Sequence, residues 1–138
     1  MRFLPILLLA AFCGGCATVQ RPVPGPLASD ETATLVADCT EVLAGRFAPA
    51  KTTFAVTGFP ATLPAALADA LRAKGYAVDD SGSVGTGCTV ALDLVDDGSL
   101  LLRVSVGDWT ACRLYQRDPS GFAAITPFSV STGDPHNG

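Results

Sequence analysis

From residue 88 onward the apolar residues of this chain change from a helical spacing to a period of two, and that switch fixes the fold class. Cys88, Val90, Leu92 and Leu94 alternate with Thr89, Ala91 and Asp93. Beyond an Asp97-Gly98 turn signal, Leu100, Leu102, Val104 and Val106 alternate with Leu101, Arg103 and Ser105. Successive side chains of a strand point to opposite faces, so such a run specifies an antiparallel sheet with one packed face and one wet face. Gly107-Asp108 leads into a third strand over 109–116, and Asp118-Pro119-Ser120-Gly121 leads into an apolar run over 122–130. With the turns centred there, Cys88 lies opposite Gly107 and Cys112 opposite Arg103. The wet face is expected to carry Thr89, Asp93, Arg103, Ser105 and Arg113.

Upstream the period is helical. Leu35, Val36, Cys39, Val42 and Leu43 share one face behind Ser29-Asp30-Glu31, which offers an N-cap hydroxyl and two carboxylates near the positive end of the dipole. Residues 52–57 are β-branched or apolar, read as a strand, and are closed by Gly58 and Pro60. Thr62 is placed to cap a second helix whose stripe is Leu63, Ala66, Leu67, Ala70 and Leu71, with Gly75 as its C-terminal stop. Tyr76-Ala77-Val78 then resumes as a strand, parallel to the first if the two share a sheet. The loop 81–87 is rich in Gly and Ser. The expected fold is an α+β two-layer domain: two helices packed on one face of a mixed sheet of about five strands, a βαβ unit followed by an antiparallel meander.

The N-terminal residues tell a different story. Arg2 precedes an apolar run over 3–12, and Cys13-Gly14-Gly15 leads to Cys16. This is the layout of a secretory signal, too short for a stable bilayer span. The Gly15-Cys16 step resembles the processing site of bacterial lipoproteins, in which the signal is cut before the cysteine. The resemblance implies a diacylglyceryl group and an N-acyl chain on Cys16. Each buried methylene contributes about 0.8 kcal/mol, and two chains give lasting attachment where one is marginal. Ala17, where an aspartate would favour the inner membrane, implies the outer membrane, with the domain facing the periplasm. Pro22, Pro24 and Pro26 disfavour helix and favour an extended tether. The expected organisation is a signal peptide over 1–15, a lipid-anchored tether over 16–28, an α+β domain over 29–130 and a disordered tail over 131–138.

Composition removes several function classes. The formal charge of the 138-residue chain is −4, and no basic stripe with interleaved aromatics occurs, which argues against nucleic acid as a partner. There is one histidine, His136 in the tail, and no clustered carboxylates, so neither a metal centre nor a Cys/His nucleophile is supported. Gly82, Gly85 and Gly87 precede a strand and are followed by no Lys-Ser/Thr, so they are not a phosphate loop. Asp79-Asp80 and Asp96-Asp97 read as turn carboxylates. No enzyme, no cofactor beyond the lipid and no small-molecule substrate are expected. Trp109, Tyr115, Phe122 and Phe128 read first as packing and second as interface anchors.

Cys39, Cys88 and Cys112 remain after Cys13 and Cys16. An oxidising compartment permits one bridge among them. Cys88 and Cys112 fall on strands separated by a third, and two strand spacings of about 4.8 Å exceed the reach of a disulfide. Cys39 with Cys88 is the favoured pair, with no bridge as its alternative.

With these residues in place the chain resembles the TrbH family, lipoproteins of conjugative mating-pair formation, a branch of type IV secretion. The resemblance rests on the signal ending at Cys16, the segment Leu67-Ala68-Asp69-Ala70-Leu71-Arg72-Ala73-Lys74-Gly75-Tyr76-Ala77-Val78, the strand Arg113-Leu114-Tyr115, and the late segment Thr126-Pro127-Phe128-Ser129-Val130. It implies a non-enzymatic outer-membrane component of a DNA-transfer apparatus, whose partners are outer-membrane core proteins of the channel. Only Cys16 transfers as a site. The alternative is a free-standing periplasmic lipoprotein that binds or regulates another envelope protein. A thiol-active protein using the leftover cysteine is the remote third reading.

Overall fold

The computed structural model describes residues 27–95 and 98–133. Cys16, the signal and nearly all of the tether lie outside them, as do Asp96, Asp97 and His136. The order of elements is α1 (Ser29–Ala44), a short 3-10 turn (Pro49–Lys51), β1 (Thr53–Phe59), α2 (Thr62–Ala73), β2 (Ala77–Val78), β3 (Thr86–Leu94), β4 (Leu100–Val106), β5 (Trp109–Asp118), β6 (Gly121–Ala124) and β7 (Ser129–Thr132). The α+β class and the mixed sheet are as expected. Among the described residues the sheet has seven strands rather than about five, in the order β2-β1-β3-β4-β5-β6, with β7 also on β5.

The expected βαβ unit is present: β1 pairs with β2 in parallel, Phe54 opposite Val78. The same Phe54 lies opposite Thr86 of β3, also in parallel, on its other side. Two parallel neighbours ordinarily need a long crossover. Here β2 stops level with the point where β3 begins, so the chain has only two strand spacings, about 10 Å, to cover. Asp79 shapes that loop: its Oδ1 accepts from the Ser81 N–H at 3.0 Å and its Oδ2 from the Val84 N–H at 2.6 Å. Gly58 is required where β1 and β3 approach, because a Cβ there would lie 1.7 Å from the Val90 carbonyl oxygen.

The meander corrects one register. Cys88 lies opposite Val106, not Gly107, and the β3–β4 connection runs over 95–99. A one-residue slip would have set inward residues against outward ones. The observed pairing puts Cys88, Val90 and Leu92 beside Val106, Val104 and Leu102 on one face. Cys112 does lie opposite Arg103, and the Gly107-Asp108 turn closes the Val106–Trp109 pair.

Two local expectations are also revised. The N-cap of α1 is Ala28, not Ser29, and its N–H donates to the Glu31 carboxylate at 2.9 Å. The cap of α2 is Ala61 rather than Thr62, with no side-chain cap hydrogen bond. The last strand runs to Thr132, two residues into the expected tail.

The core lies between the helices and the sheet. Leu35, Cys39 and Leu43 of α1 and Leu63, Leu67 and Leu71 of α2 are fully buried against Phe54, Val90, Leu102, Val104 and Tyr115. Each such leucine contributes roughly 1.5–3 kcal/mol relative to an exposed one. Phe47, after α1, packs edge-on against both Phe54 and Trp109, with ring centroids 5.7 and 5.5 Å apart. Among the described residues no helix is long and apolar enough to cross a membrane.

Candidate functional site

The polar side chains of the domain concentrate where α1 lies along β5. Alternation on β5 puts Trp109, Ala111, Arg113, Tyr115 and Arg117 on the face that α1 covers. Arg113 is therefore on the helix side, not on the wet face where it was expected. It sits among polar partners there, because Glu31 and Asp38 interrupt the apolar stripe of α1.

Seven residues of helix rise about 10 Å, and four residues of strand span about 13 Å. Glu31 and Asp38 are thus spaced to meet Arg117 and Arg113, with the helix running against the strand. The Glu31 carboxylate accepts from Arg117 Nε at 2.6 Å and from its Nη2 at 3.1 Å. The Arg117 hydrogen bond holds the Glu31 carboxyl below its ordinary range, against the opposing effect of its burial. Asp38 Oδ2 accepts from the Tyr115 hydroxyl at 2.5 Å and from Arg113 Nη1 at 3.2 Å. Burial, and then the donated hydrogen bond to Asp38, push the Tyr115 hydroxyl well above the ordinary phenol range.

Arg113 also reaches the outer strand. Its Nε donates to the Thr126 carbonyl at 2.8 Å, and its guanidinium lies 5.1 Å from the centre of the Phe128 ring. The Thr126 hydroxyl accepts from the Leu114 N–H at 3.0 Å. These contacts hold a bulge. Tyr115 lies opposite Ala124 and Cys112 opposite Ser129, so the outer strand carries two more residues than β5 over this stretch. β6 and β7 are therefore the two halves of one edge strand, interrupted at Thr126-Pro127.

Beside β7 the end of α1 leaves a groove of about 460 Å³. Trp109, Phe128 and Val130 form its apolar lining, and Glu41, Arg46 and Arg113 supply its charges. Arg46 is exposed, lies over the Phe47 ring and has no salt bridge among the described residues.

Of the expected aromatic packing, Trp109 and Tyr115 are buried, and Phe122 stacks on Tyr115 with ring centroids 5.2 Å apart. Cys39 and Cys88 are fully buried and carry free thiols, so the favoured bridge is not formed in the structure. Each occupies its place as a small apolar side chain. Burial drives the Cys39 thiol far up and the Cys88 thiol to about 12. Cys112 is half-buried on the opposite face of the sheet. No group of three or more metal-ligating side chains occurs among the described residues. The reading of the residues alone placed Glu31 only at the start of the helix, without its partner on β5, and missed Asp38 and Arg117. The available signal was two carboxylates seven residues apart inside the apolar stripe of a helix.

The fold and this arrangement define a small α+β domain in which a helix is clasped by charge to the last full strand of a mixed sheet. The charged side chains of the clasp hold α1 to β5, and one of them, Arg113, borders the groove. The chain belongs to the TrbH family of conjugal transfer proteins, whose family model, Conjugal transfer protein TrbH, matches residues 15–134. Neither a curated protein nor a solved structure matches the chain. Two of the segments that carried the resemblance, Arg113-Leu114-Tyr115 and Thr126-Pro127-Phe128-Ser129-Val130, meet at the bulge.

Proposed function

We propose that this chain is a non-enzymatic outer-membrane lipoprotein of a conjugative DNA-transfer, or type IV secretion, apparatus, anchored through lipid on Cys16 and facing the periplasm. The observation that carries the reading is the family match over residues 15–134. The matched span opens at Gly15, one residue before Cys16, so it includes Cys16 and leaves out residues 1–14. The charged side chains at the α1–β5 clasp are engaged with one another, which favours a structural role over acid–base work. The partners are core proteins of the transfer channel.

The test is a deletion of the gene in a donor strain, complemented by wild type or by Cys16→Ala. Deletion should abolish transfer. Wild type should restore it and fractionate with the outer membrane, and Cys16→Ala should leave that fraction. Undiminished transfer in the clean deletion refutes the proposal and favours a free-standing envelope lipoprotein.

A further inference from the structure

The two edges of the sheet differ. At one end β2 is a two-residue strand followed at once by Asp79 and Asp80, a short and charged edge of the kind that resists pairing. At the other end the edge runs through β6, the bulge and β7, and residues 121–133 contain no charged side chain. All four residues of β7 are exposed, Val130 by 55 %. Among the described residues β7 pairs only with β5.

The hydrogen-bond pattern shows which groups that edge offers. Gly133 N–H donates to the Asp108 carbonyl at 2.7 Å, so residue 133 points inward to β5. In an antiparallel pair inward and outward residues alternate. Ser131 and Ser129 therefore also bond inward, while the N–H and C=O of Val130 and Thr132 face away from the sheet. Val130 and Thr132 lie opposite Ala111 and Trp109, which puts their side chains on the groove side.

We infer that β7 is a docking edge at which an extended segment of a different protein adds as a further strand, with apolar side chains seated against Val130, Phe128 and Trp109 and an acidic side chain at Arg46. Strand addition takes its affinity from main-chain hydrogen bonds and its selectivity from pockets for alternate side chains. The groove supplies such a pocket, apolar on its floor, with two guanidiniums against the single carboxylate of Glu41 at its border. Arg113 is already engaged by Asp38, so the unmatched positive charge is Arg46. A second copy fits less well: residues 121–133 of a second copy would bring no carboxylate to Arg46.

The experiment uses the full-length chain in donor cells that carry the whole transfer apparatus. Val130→benzoylphenylalanine is photo-crosslinked, and the adduct is mapped by mass spectrometry. The expected product joins Val130 to a segment of another protein in which apolar and acidic residues alternate. Adducts with a second copy, with residues 17–26 or 134–138 of the same chain, or with nothing overturn the inference.

Val130→Pro is the matched variant. It removes an outward N–H and leaves the inward ladder of Ser129 and Ser131 intact, the arrangement in which an edge strand tolerates proline. Transfer should fall at least about tenfold, the cost of losing a hot-spot contact, with an unchanged melting curve. Val130→Lys keeps the N–H and places a charge on the edge, and covers the case in which the proline variant does not fold. Thr89→Lys on the exposed face of β3 is the control and should transfer normally. Normal transfer by a folded Val130→Pro or Val130→Lys, in a background where deletion abolishes transfer, overturns the docking edge and leaves the proposed function standing. The transfer readout rests on that proposed function, whereas the cross-link does not.

Discussion

Asp38 and Arg113, 75 residues apart in the chain, meet at 3.2 Å, and the Asp38 oxygen that receives Arg113 also receives the Tyr115 hydroxyl. One carboxylate oxygen thus ties the middle of α1 to two residues of β5, and through Arg113 to the bulge at Thr126. The edge strand and groove are positioned by a side chain from the helix layer.

Asp38→Ala should therefore destabilise the domain by about 2–4 kcal/mol, because it strands both a buried phenol donor and a half-buried guanidinium. Tyr115→Phe, which removes one donor and leaves the Asp38–Arg113 pair, should cost about 1 kcal/mol. Urea unfolding of both variants and of the double variant measures the difference. Equal losses from the two single variants would show that Arg113 takes nothing from Asp38.

Glu31 predicts an acid limb. Its carboxyl titrates below the ordinary 4.5 in the folded chain because of the Arg117 hydrogen bond. A group with a lowered folded-state pKa stabilises above its unfolded value and loses that contribution as pH falls through the folded one. The melting temperature should thus fall as pH drops below about 4.5, and Glu31→Gln should flatten that part of the curve while lowering stability at neutral pH. An acid limb of the same size in Glu31→Gln would assign it to other carboxylates.

Gly58 tests the junction of the parallel and antiparallel parts of the sheet. A Cβ there would meet the Val90 carbonyl carbon at 2.7 Å as well as its oxygen, and both belong to backbone that cannot step aside. Gly58 also has φ near +150°, where a side chain is strained. Gly58→Ala should cost more than about 3 kcal/mol or prevent folding. Gly87→Ala, with open space at its Cβ, is the matched control and should be nearly neutral. A stable Gly58→Ala would mean that β1 and β3 separate more readily than this spacing implies.

How much of this was legible beforehand follows from what periodicity encodes. The period-two runs from Cys88 to Val106 placed inward and outward residues correctly, because burial on one face leaves little freedom. The pairing of Cys88 with Val106 was not legible, since a turn of five residues and one of two share the Asp-Gly signal. The division of residues 122–130 into two strands around a bulge was equally hidden: no residue in that run announces that Thr126 will cap Leu114. The side of Arg113 was misjudged because an arginine suggests solvent. Only the three-dimensional approach of Asp38 makes the helix face habitable for it. The parallel β1–β3 pair was invisible for the same reason, since its partners lie beyond a helix and a short strand.

The cysteines give the last prediction. Cys39 and Cys88 are fully buried with raised thiol pKa values, and the thiolate is the reactive form. Cys112 is half-buried on the face away from the helices. In the native domain a maleimide reagent should label Cys112 first and leave Cys39 and Cys88 unmodified on the same timescale. Unfolding in guanidinium without a reductant should expose all three. If the buried pair becomes reactive only after a reductant is added, Cys39 and Cys88 are bridged in the isolated protein, and α1 is fixed to β3 by a covalent link as well as by the clasp to β5. Cys39→Ala should then destabilise by about 2–4 kcal/mol, as the loss of a cross-link over this span would. With both thiols free it should cost only what a small cavity costs, about 1 kcal/mol.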